Sequence, residues 1–187
     1  MIAPSSFVPV PWLRGPHRQT LFASKLRRTP RLAVRQERLE LPDGDFLDLA
    51  WLPENGAAAQ APLVVVLHGL TGSIKSNYAR GLLRQVARRG WRGLLMHFRG
   101  ASGQPNRLAR SYHSGDTGDF TWLLQQLRAR HPQAPLLAVG YSLGGNVLLK
   151  YLGEQETAAL PAAAVAVSVP FDLAACAAAI NRGASRA

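Results

Sequence analysis

The sequence predicts an α/β fold: an initial antiparallel hairpin leading into a mostly parallel sheet with helices on both faces. Three observations predict it. Two alternating stretches flank the turn Pro42-Asp43-Gly44-Asp45. From Pro62 onward, short unbroken apolar runs alternate with amphipathic stretches of helical period. The apolar runs are continuous rather than alternating, as expected of strands buried on both faces.

The elements follow in order. Residues 17–26, "HRQTLFASKL", read as a short helix after Pro16. Residues 32–41 and 46–52 alternate around the turn and form the hairpin. Residues 53–61 are a polar, Ala-rich surface connection. "PLVVVLHG" from Pro62 is the first buried parallel strand. In "SNYARGLLRQVARRG", Ala79, Leu82, Leu83 and Val86 mark one helical face, Arg80, Arg84 and Arg88 mark another, and Gly90 ends the helix. "WRGLLMHF" is the next strand. Residues 116–130 form a helix with Phe120, Leu123, Leu124 and Leu127 inward, stopped before Pro132. "PLLAVGYS" is a strand, 143–152 a helix, 162–169 a strand and 172–180 a helix. Between them, residues 99–115 form a long loop leaving the carboxyl end of a strand, the edge where open α/β sheets place their sites. This loop reads as a wall of the site.

Composition bounds the rest. A chain of 187 residues with 47% hydrophobic content suits one principal domain, assigned to residues 32–187, preceded by a basic segment at 1–31. The formal charge is +11. Much of it lies in residues 14–38, where Arg14, Arg18, Lys25, Arg27, Arg28, Arg31, Arg35 and Arg38 face only Glu37. That stretch reads as a solvated face or as a peripheral contact for an anionic membrane. No nucleic-acid motif accompanies the charge, and no nucleic-acid partner is expected. The single Cys176 excludes an intramolecular disulfide and reads as a small buried core residue. Pro4, Pro9 and Pro11 break any apolar signal core, and no run approaches a bilayer span, so a cytoplasmic location is expected. No Cys/His ligand cluster or phosphate loop is present, so no metal or organic cofactor is expected.

The chemistry centres on "AVGYSLGGN", residues 138–146. Gly140-Tyr141-Ser142-Leu143-Gly144 is a G-x-S-x-G pattern between a buried strand and a helix. That context is a nucleophile elbow, in which glycines let strand and helix backbones pack closely around a strained turn. Ser142 is the candidate nucleophile. The helix beginning at Leu143 aims its amides at developing negative charge. "LHGLTG" closes an earlier strand where a second oxyanion donor is needed, so the amides of Leu70 and Leu143 are the candidate oxyanion hole.

The proton partners are harder to find. On this architecture the chain order is serine, acid, histidine. The histidines are 17, 68, 97, 113 and 131, none after Ser142. His68 and His97 read as structural, and His131 as a helix-end residue suited to the dipole. His113, in the long loop, is the one substitute base. Asp172 reads as a helix cap.

The stretches "GPHRQTLFA", "LHGLTGSIKSNYARGL", "HFRGASGQPNRLARSYHSGDTGDF", "GYSLGGNVLLKYLGE" and "VSVPFDLAACAAAINRG" together resemble the YheT-like hydrolases, the AB-hydrolase-4 family of the α/β-hydrolase superfamily. The resemblance runs from about residue 15 to about 183; Ala101 departs from it, where relatives often carry cysteine. It implies a serine hydrolase of carboxylesterase or lipase type, cleaving short-chain or lipid-derived acyl esters through an acyl-serine, with Ser142 as nucleophile. It also implies that this chain is the N-terminal portion of the α/β-hydrolase fold with the last strands missing, and that the triad acid and histidine are not in this chain. On that reading the chain is inactive or weakly active alone. The alternative is a non-catalytic acyl-ligand or interaction protein retaining the front half of the fold.

Overall fold

The structure is a computed structural model, and it describes residues 5–22, 26, 28–54 and 56–181. A 3-10 turn at Pro11–Leu13 and a short helix α1 (Pro16–Leu21) precede the sheet. The helix read over 17–26 thus starts at Pro16, and part of it lies outside the described residues. Pro16 occupies the first helical turn, where its missing N–H costs nothing.

The hairpin is β1 (Arg35–Glu40) and β2 (Phe46–Trp51), paired antiparallel with Arg35 opposite Trp51 and Glu40 opposite Phe46. Then come β3 (Leu63–Leu67), α2 (Asn77–Arg88), β4 (Arg92–Met96), α3 (Gly118–Arg130), β5 (Leu136–Tyr141), α4 (Leu143–Gln155), a 3-10 turn at Glu156–Ala158, β6 (Ala163–Val167) and α5 (Leu173–Ile180). The six strands form one sheet in the order β1-β2-β4-β3-β5-β6. β2 meets β4 antiparallel; β3 with β4, β3 with β5, and β5 with β6 are parallel.

Alternation along β3 sorts the core. Leu63, Val65 and Leu67 face one side, where Phe120, Leu123 and Leu124 of α3 and Val147, Leu148 and Tyr151 of α4 are buried. Val64 and Val66 face the other, against Ala79, Leu83 and Val86 of α2. Helices therefore cover both faces of the sheet's centre, as expected where β3 is apolar and buried at every position. The chain leaves β3 toward β4 on one side and later returns to β5 on the other. The carboxyl ends of β3 and β5 thus flank a topological switch point, the crevice where such sheets bind ligands.

The far edge is the least covered part of the sheet. β6 is the edge strand, with Val165 55% exposed, and α5 buries none of its residues. Cys176, on α5, is accordingly half-buried rather than part of the core, because α5 covers a cavity instead of packing into the sheet.

Candidate active site

The elbow is built by close backbone approach. A Cβ on Gly140 would lie 2.7 Å from the Gly144 carbonyl carbon, and one on Gly144 would lie 2.5 Å from the His68 oxygen and 2.7 Å from the Leu67 oxygen. Neither position admits a side chain without moving backbone. Between them Ser142 has φ 50° and ψ −116°, a left-handed conformation that costs a non-glycine residue strain. Surrounding bonds hold it there: Ser142 N donates to Val167 O at 2.8 Å, and Ser142 O accepts from Gly145 N and Asn146 N. Ser142 is the N-cap of α4, so its side chain stands at the positive end of the helix dipole.

The loop after β3 closes against it. A Cβ on Gly69 would lie 3.2 Å from Ser142 Cβ. Leu70, Ser142 and Leu143 line one cavity of about 720 Å³. The amides of Leu70 and Leu143 engage no partner among the described residues. The three residues singled out in the sequence are therefore brought together. The remaining lining is largely apolar and comes mainly from Val169, Pro170, Leu173, Ala177 and Ile180. The long loop after β4 contributes only Ser114 to it. Sequence reading assigned the wall to that loop and missed α5, whose Ala-rich run carries no sign of which face meets a ligand.

The histidines can be placed individually, except that the side chain of His17 lies outside the described groups. His68 is fully buried; its Nδ1 donates to Gly69 O at 2.7 Å and its Nε2 accepts from Phe98 N at 3.2 Å. His97 repeats the pattern, with Nδ1 to Asp48 O at 3.0 Å and Nε2 from Ile74 N at 3.2 Å. An amide donor at Nε2 requires that nitrogen to be unprotonated, so both rings are neutral Nδ1–H tautomers. Burial pushes His68 down to about 4 and lowers His97 as well. Both are staples between strand ends and loops, as expected. His131 caps α3, but its Nδ1 lies 2.9 Å from Arg92 Nη1, and burial plus that cation lower its pKa. It is an acceptor for Arg92 rather than a cation on the helix dipole. His113 Nδ1 accepts from the Gly115 amide at 3.1 Å. Ser142 Oγ makes no hydrogen bond among the described residues. Asp172 caps α5, accepting from Ala175 N at 2.8 Å.

The long loop is pinned by a buried cation. Arg99, whose side chain is 1% exposed, donates to both oxygens of Asp119 at 2.7 Å and to Asp45 Oδ2 at 2.8 Å, and its Nη2 lies 2.8 Å from Asp43 Oδ2. Asp45 Oδ1 also accepts from Asn106 Nδ2 and Arg107 N. Burial pushes Asp45 up, but these donors prevail and hold it at about 2. The turn read as hairpin punctuation is thus the anchor of the loop after β4. Among the described residues no group of three or more His, Cys, Asp or Glu side chains is arranged to hold a metal ion.

Comparison with known proteins agrees with this construction. The alpha/beta hydrolase fold family matches residues 62–178. YheT of Escherichia coli (strain K12), named as an esterase, is 46% identical over 182 residues, covering 97% of this chain and 54% of that protein. Phospholipase ABHD3 of Mus musculus is 28% identical over 186 residues, covering 97% of this chain and 45% of its own. The chain thus spans about half the length of these relatives. Among solved structures, XC6422 from Xanthomonas campestris, described as an α/β serine hydrolase without lid, superposes with a TM-score of 0.61 at 24% identity, covering 79% of this chain and 66% of that one. Strand order, elbow geometry and the family match point the same way: the chain belongs to the alpha/beta hydrolase fold family.

Proposed function

We propose that this chain carries the nucleophile and oxyanion hole of a serine ester hydrolase acting on lipid-derived or short-chain acyl esters. The observation that carries the reading is the strained Ser142 at φ 50°, set with the uncommitted Leu70 and Leu143 amides in one apolar cavity of about 720 Å³. In the reaction, Ser142 Oγ bonds to the ester carbonyl carbon and gives its proton to a base. The carbonyl oxygen becomes an oxyanion held by the two amides. Collapse expels the alcohol, which takes the proton, and water then cleaves the acyl-serine. The cavity lined by Val169, Leu173 and Ile180 holds the acyl chain. The words esterase and phospholipase in the names of YheT and ABHD3 support this substrate class.

No described histidine hydrogen-bonds Ser142 Oγ, and on this reading the base and its carboxylate partner are not among the described side chains. Loss of a triad histidine costs up to ~10⁶ in kcat. The 187-residue chain is therefore expected to hydrolyse p-nitrophenyl butyrate barely above background. The same observation favours a second reading, a non-catalytic acyl-ligand binder. A fluorophosphonate probe separates the two. Labelling of the wild type that is lost in Ser142→Ala supports an activated nucleophile; a silent wild type that still binds a fatty acid supports the binder. Robust esterase activity that disappears with His113→Ala would instead make His113 the base.

The N-terminal segment adds a proposed contact with anionic membrane. Arg35 and Arg38 are committed to Glu37 and Asp48. Arg14, Arg18, Arg28 and Arg31 are exposed, and so are Phe7, Val8 and Trp12 of the same N-terminal segment, a content of cations and apolar side chains suited to a lipid interface. Co-sedimentation with phosphatidylserine vesicles should fall steeply with salt and on neutralising Arg28 and Arg31; retention insensitive to both removes this contact. No helix among the described residues is long and apolar enough to cross a membrane.

A further inference from the structure

Three successive amides in the loop after β3 have different fates. Gly69 N donates to Tyr78 Oη at 3.0 Å. Thr71 N donates to Tyr112 Oη at 3.2 Å. Leu70 N, between them, engages no partner among the described residues. The two phenols reach the loop from different elements. Tyr78 stands in the first turn of α2; Tyr112 belongs to the long loop after β4.

Neither ring is loosely held. Tyr112 stacks on Phe98 with centroids 5.0 Å apart and planes 11° apart. Tyr78 packs against Tyr141 at 4.5 Å. The loop itself needs such support, because Thr71 has φ 57°, a costly conformation for a β-branched residue. Gly72 N donates back to Gly69 O at 2.9 Å, closing the turn, and a Cβ on Gly72 would collide with Tyr78 Oη and lie 2.9 Å from His68 Cβ.

We propose that Tyr78 and Tyr112 are positioning residues whose hydroxyls clamp the amides on either side of Leu70, fixing that peptide so that its N–H stays an open donor at the Ser142 cavity. The proposal rests on the reading of Ser142 and Leu70 above. Its physical basis is preorganisation: a donor already oriented costs nothing to reorganise when the oxyanion forms, and a rotated peptide contributes none of its stabilisation. It also gives the long loop a role that its position beside the cavity does not supply. Arg99 and Asn106 anchor that loop to Asp45, and the anchored loop delivers Tyr112 to Thr71.

The test uses Tyr78→Phe and Tyr112→Phe, which delete one oxygen each and keep the ring packing. Tyr151→Phe is the control. Tyr151 Oη accepts the Leu160 amide at 3.2 Å, the same kind of bond on α4 and the segment following it, remote from the loop after β3. Two readouts are made on the full chain. The first is residue-resolved amide hydrogen exchange by mass spectrometry with electron-transfer fragmentation, run at submicromolar protein. Gly69 should exchange faster in Tyr78→Phe and Thr71 faster in Tyr112→Phe, each by about tenfold or more. Neither should change in Tyr151→Phe. The second is fluorophosphonate labelling of Ser142. The maximal labelling rate should fall by about tenfold to a hundredfold in each clamp variant, with unchanged half-saturating probe concentration, and should hold in Tyr151→Phe. Labelling at wild-type rate in both clamp variants overturns the proposal while leaving the Ser142 reading intact. A wild type that never labels tells against an activated Ser142 in this chain, not against the clamp. The exchange rates then decide the clamp by themselves: acceleration at Gly69 and Thr71 supports it, and unchanged rates overturn it.

Discussion

Gly140 and Gly144 make the elbow possible because a Cβ at either would enter neighbouring backbone, and that requirement was legible from their spacing around Ser142. The fate of His68 was legible only in outline. Its position after a strand suggested a structural role, but its two backbone partners belong to Gly69, the next residue, and Phe98, 30 residues away. Those bonds make a pH prediction. His68 has its folded pKa depressed to about 4 from an ordinary 6.5, so the folded state binds fewer protons than the unfolded state between those values. The stability it supports is fully present above pH 6.5 and is lost as pH falls toward about 4. The loss from this group is about 3 kcal/mol, with His97 adding in the same direction. Urea denaturation at pH 7.5 and pH 4.5 should show it. Equal stability at the two values would mean that folding does not depress the His68 pKa.

At the scale of elements, the hairpin turn and the loop after β4 behave as one unit. Arg99 begins the loop, and its partners Asp43 and Asp45 come from the turn between β1 and β2, while Asp119 opens α3. Breaking a buried ion pair by removing one partner leaves uncompensated charge and costs about 3–5 kcal/mol. Arg99→Met, which keeps much of the volume, should therefore lower stability by about that amount and expose the segment 100–110 to limited proteolysis. A variant within 1 kcal/mol of wild type, with the loop still protected, would show that Asn106 and Ser102 suffice to hold it. The sequence marked this loop as functional from its length and its exit at a strand's carboxyl end. It could not show that the turn Pro42-Asp43-Gly44-Asp45 anchors it. Aspartates in such a turn are accounted for locally, and nothing in the chain marks a partner 54 residues away.

Across the whole molecule, the apolar surface is unevenly covered. The centre of the sheet is fully buried, whereas β6 and α5 leave Val165, Phe171 and Ile180 55%, 83% and 58% exposed. An edge strand with apolar faces is a template for pairing with another chain. The 187-residue chain should therefore self-associate at micromolar concentration, seen by light scattering as a concentration-dependent mass. A monodisperse monomer with one sharp thermal transition would contradict this. The sequence by itself determined the alternation of strand and helix, the hairpin, the elbow at Ser142 and the apolar runs of β3, β4 and β5. Each of these is written in local periodicity and in glycine spacing, which physics reads over a few residues at a time. Only the tertiary structure decided that β3 lies between β4 and β5, that α5 rather than the long loop walls the cavity, that Arg99 gathers three aspartates, and that Tyr78 and Tyr112 flank Leu70. The reason is that hydrophobic pattern specifies which face of an element is buried but not which element buries it. Partners far apart in the chain are chosen when the sheet closes, by where backbone donors and buried charges are left in need of them.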